Sequence, residues 1–210
     1  MARVTLQRDA VAKAFPPARR KRRSQRQAKL PTAKSVFAYW FVKHNEKDWF
    51  GFNPKFDAEL KRLYSATLDA AVAGELVHWR KTPEGRLIEI VVLDQFARQI
   101  HRGSAKSFEG DPVALILAQE AVALGLDEKV KPQWRFFFYM PFMHSESLAI
   151  HERYMKYFRA TKNQPLIDFE LAHRDVLARF GRYPFRNAAL GRTSTPDEIL
   201  YLEKRGKAIF

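Results

Sequence analysis

The sequence predicts an all-α fold, in which antiparallel helix hairpins stack behind a basic N-terminal extension. Three observations support it. Apolar residues recur at steps of three and four through most of the chain, the spacing of a helix with one buried face. Polar capping residues followed by proline open these stretches, and glycines close them. No alternating pair of segments joined by a tight turn appears, nor any strand–helix–strand pattern. With 210 residues and a hydrophobic fraction of 46%, the chain suffices for one sizeable core.

The elements follow in order. Ser35 caps a first helix over 35–43 that carries Val36, Phe37, Tyr39, Trp40 and Phe41. Asn53 and Pro54 open the next, with Phe56, Leu60, Leu63, Thr67 and Ala71 on one stripe and Gly74 at its end. Residues 85–101 carry Leu87, Ile88, Val91, Val92, Phe96 and Ile100. The β-branched run 87–93 also suits a strand, but the apolar spacing continues to Ile100, longer than most strands. Asp111 and Pro112 repeat the cap-plus-proline signature, and Gly125 closes that helix. Ser145 caps a helix to about 160, with Leu148, His151, Met155 and Phe158 in line. Pro165 opens another that ends at Gly181 and turns Leu166, Phe169, Val176, Leu177 and Phe180 inward. Thr195 and Glu198 form a capping box, and the last helix presents Ile199, Leu200 and Leu202. Two connections read as non-helical, the aromatic run 135–143 and the Arg-rich loop 182–195.

Composition excludes several function classes. The chain has no cysteine, so disulfides, thiolate nucleophiles, Cys-ligated zinc and iron–sulfur clusters are out. The longest apolar run, 36–42, falls far short of the ~18 residues a membrane helix needs. No HxxxH or HExxH spacing, nucleophile elbow, phosphate loop or dinucleotide fingerprint occurs, so no metal and no cofactor is expected.

Charge divides the chain. It holds 37 Lys+Arg against 23 Asp+Glu, a net +14. Residues 1–34 contain eleven of the bases and a single acid, Asp9, so the body 35–210 is only mildly basic. Pro16 and Pro17 stop any helix, and Arg19, Arg20, Lys21, Arg22, Arg23, Arg26 and Lys29 then repel one another into an extended arm. The arm suits a solvated tail, an anchor on RNA or another polyanion, or a mitochondrial targeting segment. The expected compartment is the cytoplasm, with the mitochondrion as the alternative.

Three constellations bear chemistry. Asp94, Arg98 and His101 step at four and three along one helix, so they share a face as a helical ion pair or as a polar cleft wall. His144, Ser145 and Glu146 stand at a predicted helix start, either as a cap or as an anion site with His144 as acid/base. His173, with Glu170 one turn before it, adjoins the loop bearing Arg182, Arg186, Asn187 and Arg192. Those arginines bind an anionic ligand or tie the loop to the body's own acids. His151, on an apolar stripe, reads as a satisfied core or boundary histidine.

The blocks DQFARQIHRG, YMPFMHSE and HRDVLARFGRYPFRNAALGRTSTPDE, with the opening FAYWF…DWF, resemble the bacterial family called domain of unknown function 924 over about 35–202. The resemblance implies an all-helical fold similar to tetratricopeptide repeats and carries no known reaction. Four positions depart from the family's pattern. Ala97 stands for proline, Gln99 for asparagine, Met143 for glutamate and Phe185 for histidine. Each change removes polarity or a special backbone residue from the cleft. A helical body with a blunted cleft and an added cationic arm leads to one expectation: a non-catalytic scaffold binding a protein or RNA partner. The alternative is a small-molecule enzyme or binding protein whose cleft is lined by Asp94, Arg98, His144, Glu146 and Arg186.

Overall fold

A computed structural model describes residues 30–205, and among them every regular element is helical. None of these helices is long and apolar enough to cross a membrane. Helix α1 (Ala33–Ala38) starts three residues earlier than Ser35 suggests, because Thr32 is the residue with extended backbone. Its Oγ1 accepts the Ser35 N–H at 3.2 Å, and Ser35 lies within the first turn. A π-helical turn, Tyr39–Lys43, continues α1 and delivers Tyr39, Trp40 and Phe41 to the core. A single turn, α2 (Glu46–Trp49), then leads to α3 (Pro54–Val72), capped by Asn53 as the sequence indicates. Leu63, placed on its stripe by spacing, is exposed instead, and Tyr64 takes the inward position.

The centre of the molecule is one rod. Thr82 caps α4 (Pro83–Val91), which passes through a π-helical turn at Val92–Phe96 into α5 (Ala97–Ile100). Residues 87–97 are all buried, as a helix surrounded on every side must be. This explains the continuous apolar run that also suited a strand. The rod packs against α1, α3, α6 (Asp111–Ala123) and the 3-10 turn Phe136–Phe138. Gly110, rather than Asp111, occupies the cap position of α6. A Cβ there would lie 2.5 Å from the Leu93 carbonyl oxygen, so only glycine lets α6 begin against the rod.

The aromatic run is helical after all, in short pieces: α7 (Pro132–Arg135), the 3-10 turn and α8 (Met140–Met143). Pro141 is tolerated because it falls in the first turn of α8, where its missing N–H breaks no bond. Helices α9 (Leu148–Ala160) and α10 (Gln164–Phe180) form a hairpin. Ser147 rather than Ser145 precedes α9, and Phe169 is exposed, contrary to the inward stripe expected of it. Gly181 ends α10 in the left-handed conformation, φ 69°. A loop with a 3-10 turn at Pro184–Arg186 leads to α11 (Pro196–Arg205). Its capping box is reciprocal, with Thr195 N–H donating to Glu198 at 2.7 Å and Glu198 N–H to Thr195 Oγ1 at 3.3 Å. Glu198 faces inward on α11, while Ile199 and Leu200 are exposed.

One continuous core runs from Val36 to Phe158. A second, small cluster holds Val176, Leu177 and Tyr183. The polar site lies at the seam between them.

Candidate functional site

The π-helical turn in the central rod widens the backbone and presents Asp94 and Gln95 at the seam. Asp94 is buried, yet three donors hold it. His144 Nδ1 approaches Oδ1 at 2.6 Å, Gln95 Nε2 donates to Oδ2 at 2.5 Å, and Arg98 Nη1 lies 3.0 Å away. Arg98 also donates to both oxygens of Asp111, at 2.8 and 2.9 Å. Asp111 is shared with Arg186 Nη1 at 3.4 Å, and Arg186 Nη2 donates to the His144 carbonyl at 2.8 Å. Asp94, Arg98, Asp111, Arg186 and His144 therefore close a ring of contacts. Arg186 is itself buried, with its guanidinium 4.6 Å from the Phe108 ring centre and 4.7 Å from that of Tyr183.

Electrostatics set the charge states. Burial alone would raise the Asp94 pKa, but the charge of Arg98 and the interactions with His144 and Gln95 outweigh it and hold it low. Burial, reinforced by Arg98, lowers His144 against the pull of Asp94. At neutral pH the pair is thus a carboxylate and a neutral imidazole whose Nδ1–H donates to Asp94. Burial and the neighbouring Arg98 bring Arg186 down to about 10, still protonated at neutral pH.

Two further latches flank the ring. Glu146 accepts from Arg192 at 2.8 and 2.7 Å and from the Tyr183 backbone N–H at 2.8 Å. Glu198 accepts from Arg182 at 2.7 and 2.8 Å and from Asn187 Nδ2 at 3.2 Å. The hydrogen bonds from Arg182 are the main reason its pKa falls to about 2.

The predicted cleft residues are thus distributed. Asp94, Arg98, His144 and Arg186 converge, and Glu146 adjoins them through its own latch. Arg182, Asn187 and Arg192 tie the loop to acids of the body. His101 does not join Asp94 and Arg98: the helix ends at Ile100, and His101 lines a separate small pocket with Lys106 and Glu109. Ser145 does not cap α9, and its carbonyl instead faces His151 Nε2 at 3.0 Å. His173 lies behind His144, with ring centres 6.4 Å apart, and its Nδ1 pairs with the Phe169 carbonyl rather than with Glu170. Glu170 pairs with the fully buried His151 at 2.6 Å. The basic residues Arg19, Arg20, Lys21, Arg22, Arg23, Arg26 and Lys29 lie outside the described residues.

A cavity of about 610 Å³ opens beside the ring. Gln95, Arg98, Gln99 and His144 contribute to its polar lining together with Glu46, Arg102 and Asn163, and Trp49, Phe50, Phe136, Met143 and Phe169 contribute to its apolar walls. Asp94, Glu146 and Arg186 stand behind that lining. Of the four departures from the family pattern, Gln99 and Met143 line the cavity, whereas Ala97 is buried in the rod and Phe185 stacks on Tyr183. Among the described residues no cluster of three or more His, Asp or Glu is placed to hold a metal ion.

Sequence reasoning missed Asp111, Gln95, Tyr183 and Glu198. Asp111 looked like a cap because proline follows it. Its partners lie 13 and 75 residues away, and no local signal reports contacts at such separations.

Comparison with known proteins agrees with this architecture. Residues 36–206 match the family described as bacterial protein of unknown function (DUF924). A solved structure, that of the protein of unknown function ATU0120 from Agrobacterium tumefaciens, is similar with a TM-score of 0.75 and 35% identity. The match covers 82% of this chain and 97% of that one. No curated protein sequence matches. The chain therefore belongs to the DUF924 family of bacterial proteins.

Proposed function

We propose that the chain binds a small molecule in the cavity beside the charged ring, with the Asp94–His144 pair acting on it as a base. The supporting observation is that His144 lines the cavity while its Nδ1 is engaged by a buried carboxylate. That hydrogen bond selects the tautomer and orients the ring, leaving Nε2 as a lone-pair acceptor for the cavity. Arg98 is a positioning residue, because it braces Asp94 and Asp111 at once. The cavity has the size and the mostly apolar lining of a small-molecule site. The test is an NMR titration of the isotope-labelled full chain with indole, a neutral aromatic probe. Resonances of the His144 ring and of the Met140 and Met143 methyls are expected to move together, and Asp94→Asn to redistribute the His144 tautomers. Unmoved His144 and methionine signals at millimolar indole would remove this reading.

A second reading rests on charge. Residues 1–34 concentrate eleven Lys and Arg, which favours a scaffold whose arm contacts RNA or another polyanion. The full chain is expected to retain single-stranded RNA at 50 mM salt and release it at 200 mM. A variant with the arginines at 19, 20, 22 and 23 changed to glutamine is expected to lose that retention. Equal retention by both proteins would exclude the arm.

A further inference from the structure

The geometry points to the class of molecule that the cavity accepts: an amine or alcohol carried on an apolar, ring-sized body, with carboxylates and phosphates excluded. This rests on the small-molecule reading above and narrows it.

Anions are disfavoured because each guanidinium lining the cavity already has a carboxylate of its own. Arg98 makes two hydrogen bonds to Asp111 and a further contact with Asp94. Arg102 makes two to Asp57, at 2.8 and 3.1 Å. A ligand carboxylate would have to displace one of these and leave a protein carboxylate with its partner gone. Glu46 adds a further negative charge to the lining.

Of the lining atoms outside the charged pairs, those of Gln95 and His144 are acceptors, while Asn163, whose Oδ1 accepts from the Leu166 N–H at 3.3 Å, keeps an amide donor. Gln99 donates Nε2 to the Trp49 carbonyl at 2.9 Å and faces the Asp48 carbonyl at 3.4 Å, so its amide cannot be reversed without opposing oxygen to oxygen. Its Oε1 is then left without a hydrogen-bond partner but closed off from solvent, so Gln99 lines the cavity without offering that oxygen to it. Gln95 is fixed the same way: its Nε2 donates to Asp94, which leaves Oε1 as the acceptor. His144 contributes Nε2 as a second acceptor once its Nδ1–H donates to Asp94. A ligand N–H or O–H supplies a partner to the acceptors of Gln95 and His144. The aromatic walls from Trp49, Phe50, Phe136 and Phe169 receive the apolar body, and their faces also attract an ammonium group.

The test uses three probes of matched size on the full chain: 2-phenylethylamine, 2-phenylethanol and 3-phenylpropionate, with binding read by calorimetry. The amine and the alcohol are expected to bind at least tenfold more tightly than the carboxylate. Gln95→Leu is expected to weaken both tenfold or more. Carboxylate binding equal to that of the amine would overturn the inference. So would failure of all three probes while indole still moves the His144 and methionine signals, an outcome that leaves the cavity reading intact. Failure of indole as well would end both.

Discussion

The helices up to α9 bury Trp40, Phe96, Phe137, Phe142 and Phe158 in one continuous apolar cluster. Among the described residues, the segment from Val176 onward has Val176, Leu177 and Tyr183 as its own apolar cluster and otherwise buries Pro184, Arg186, Asn187 and Glu198. The two regions are therefore held by different forces. Apolar burial is non-directional and scales with area removed from water. The C-terminal clasp depends on paired charges with fixed geometry, which respond to pH and to the loss of a single partner. The site draws Asp94 and Arg98 from the first region and Arg186 from the second, so its integrity reports whether the clasp is closed.

Three measurements sharpen or break that contrast. The largest effect is expected at Trp40, whose ring lies against Trp49, Phe56, Phe96 and Phe137. Trp40→Ala should cost about 4 kcal/mol in urea unfolding, the usual loss for a buried aromatic. A cost below about 1 kcal/mol would contradict an apolar body. Next is Asp111→Asn, which leaves Arg98 and Arg186 facing one another without their shared carboxylate. It should cost about 3 kcal/mol. The His144 resonances should move as well, because the ring of contacts is broken. A fall in stability with His144 unmoved would mean that the network does not reach the site.

The smallest effect is in pH. Burial above all, reinforced by the nearby Arg186, pushes His173 down to about 3 against the hydrogen bond to the Phe169 carbonyl, and His144 is lowered as well. In the unfolded chain both histidines titrate near 6.5. The folded state favours their neutral forms, so their contribution is complete above about pH 6.5 and is lost as pH falls toward the folded pKa. Burial raises Glu170, which works in the opposite sense: its contribution is present at low pH and fades as pH rises past the ordinary carboxylate range. For His173 this should lower stability by about 2 kcal/mol between pH 6.5 and 5. His173→Asn should flatten part of that slope. An unchanged slope would place the acid sensitivity elsewhere.

The helices were legible because their signals are local. Asn53, Thr195 and Glu198 cap as their spacing indicates, and Gly181 stops α10 where only a residue tolerant of positive φ fits. The misplaced features have local reasons too. Thr32 competes with Ser35 for the same cap, Gly110 precedes Asp111, and Ser147 stands two residues beyond Ser145. In each case two candidates a few residues apart obey the same rule, and packing selects between them. The candidate site was legible as a set of residue types but not as a set of pairs. Asp94, Arg98, His144 and Arg186 were recognisable as polar residues in unusual company. Their pairing through Asp111, and the assignment of Glu170 to His151 rather than His173, were not.

The amino-acid order alone determined that this chain is a helical body with a strongly cationic first segment, because helix period, capping and charge density are properties of neighbouring residues. Tertiary structure alone decided which carboxylate answers which guanidinium, which glutamine oxygen is left without a donor, and that a cavity opens beside His144. Those outcomes depend on segments tens of residues apart meeting in space, where burial and Coulomb energy, rather than sequence spacing, choose the partners.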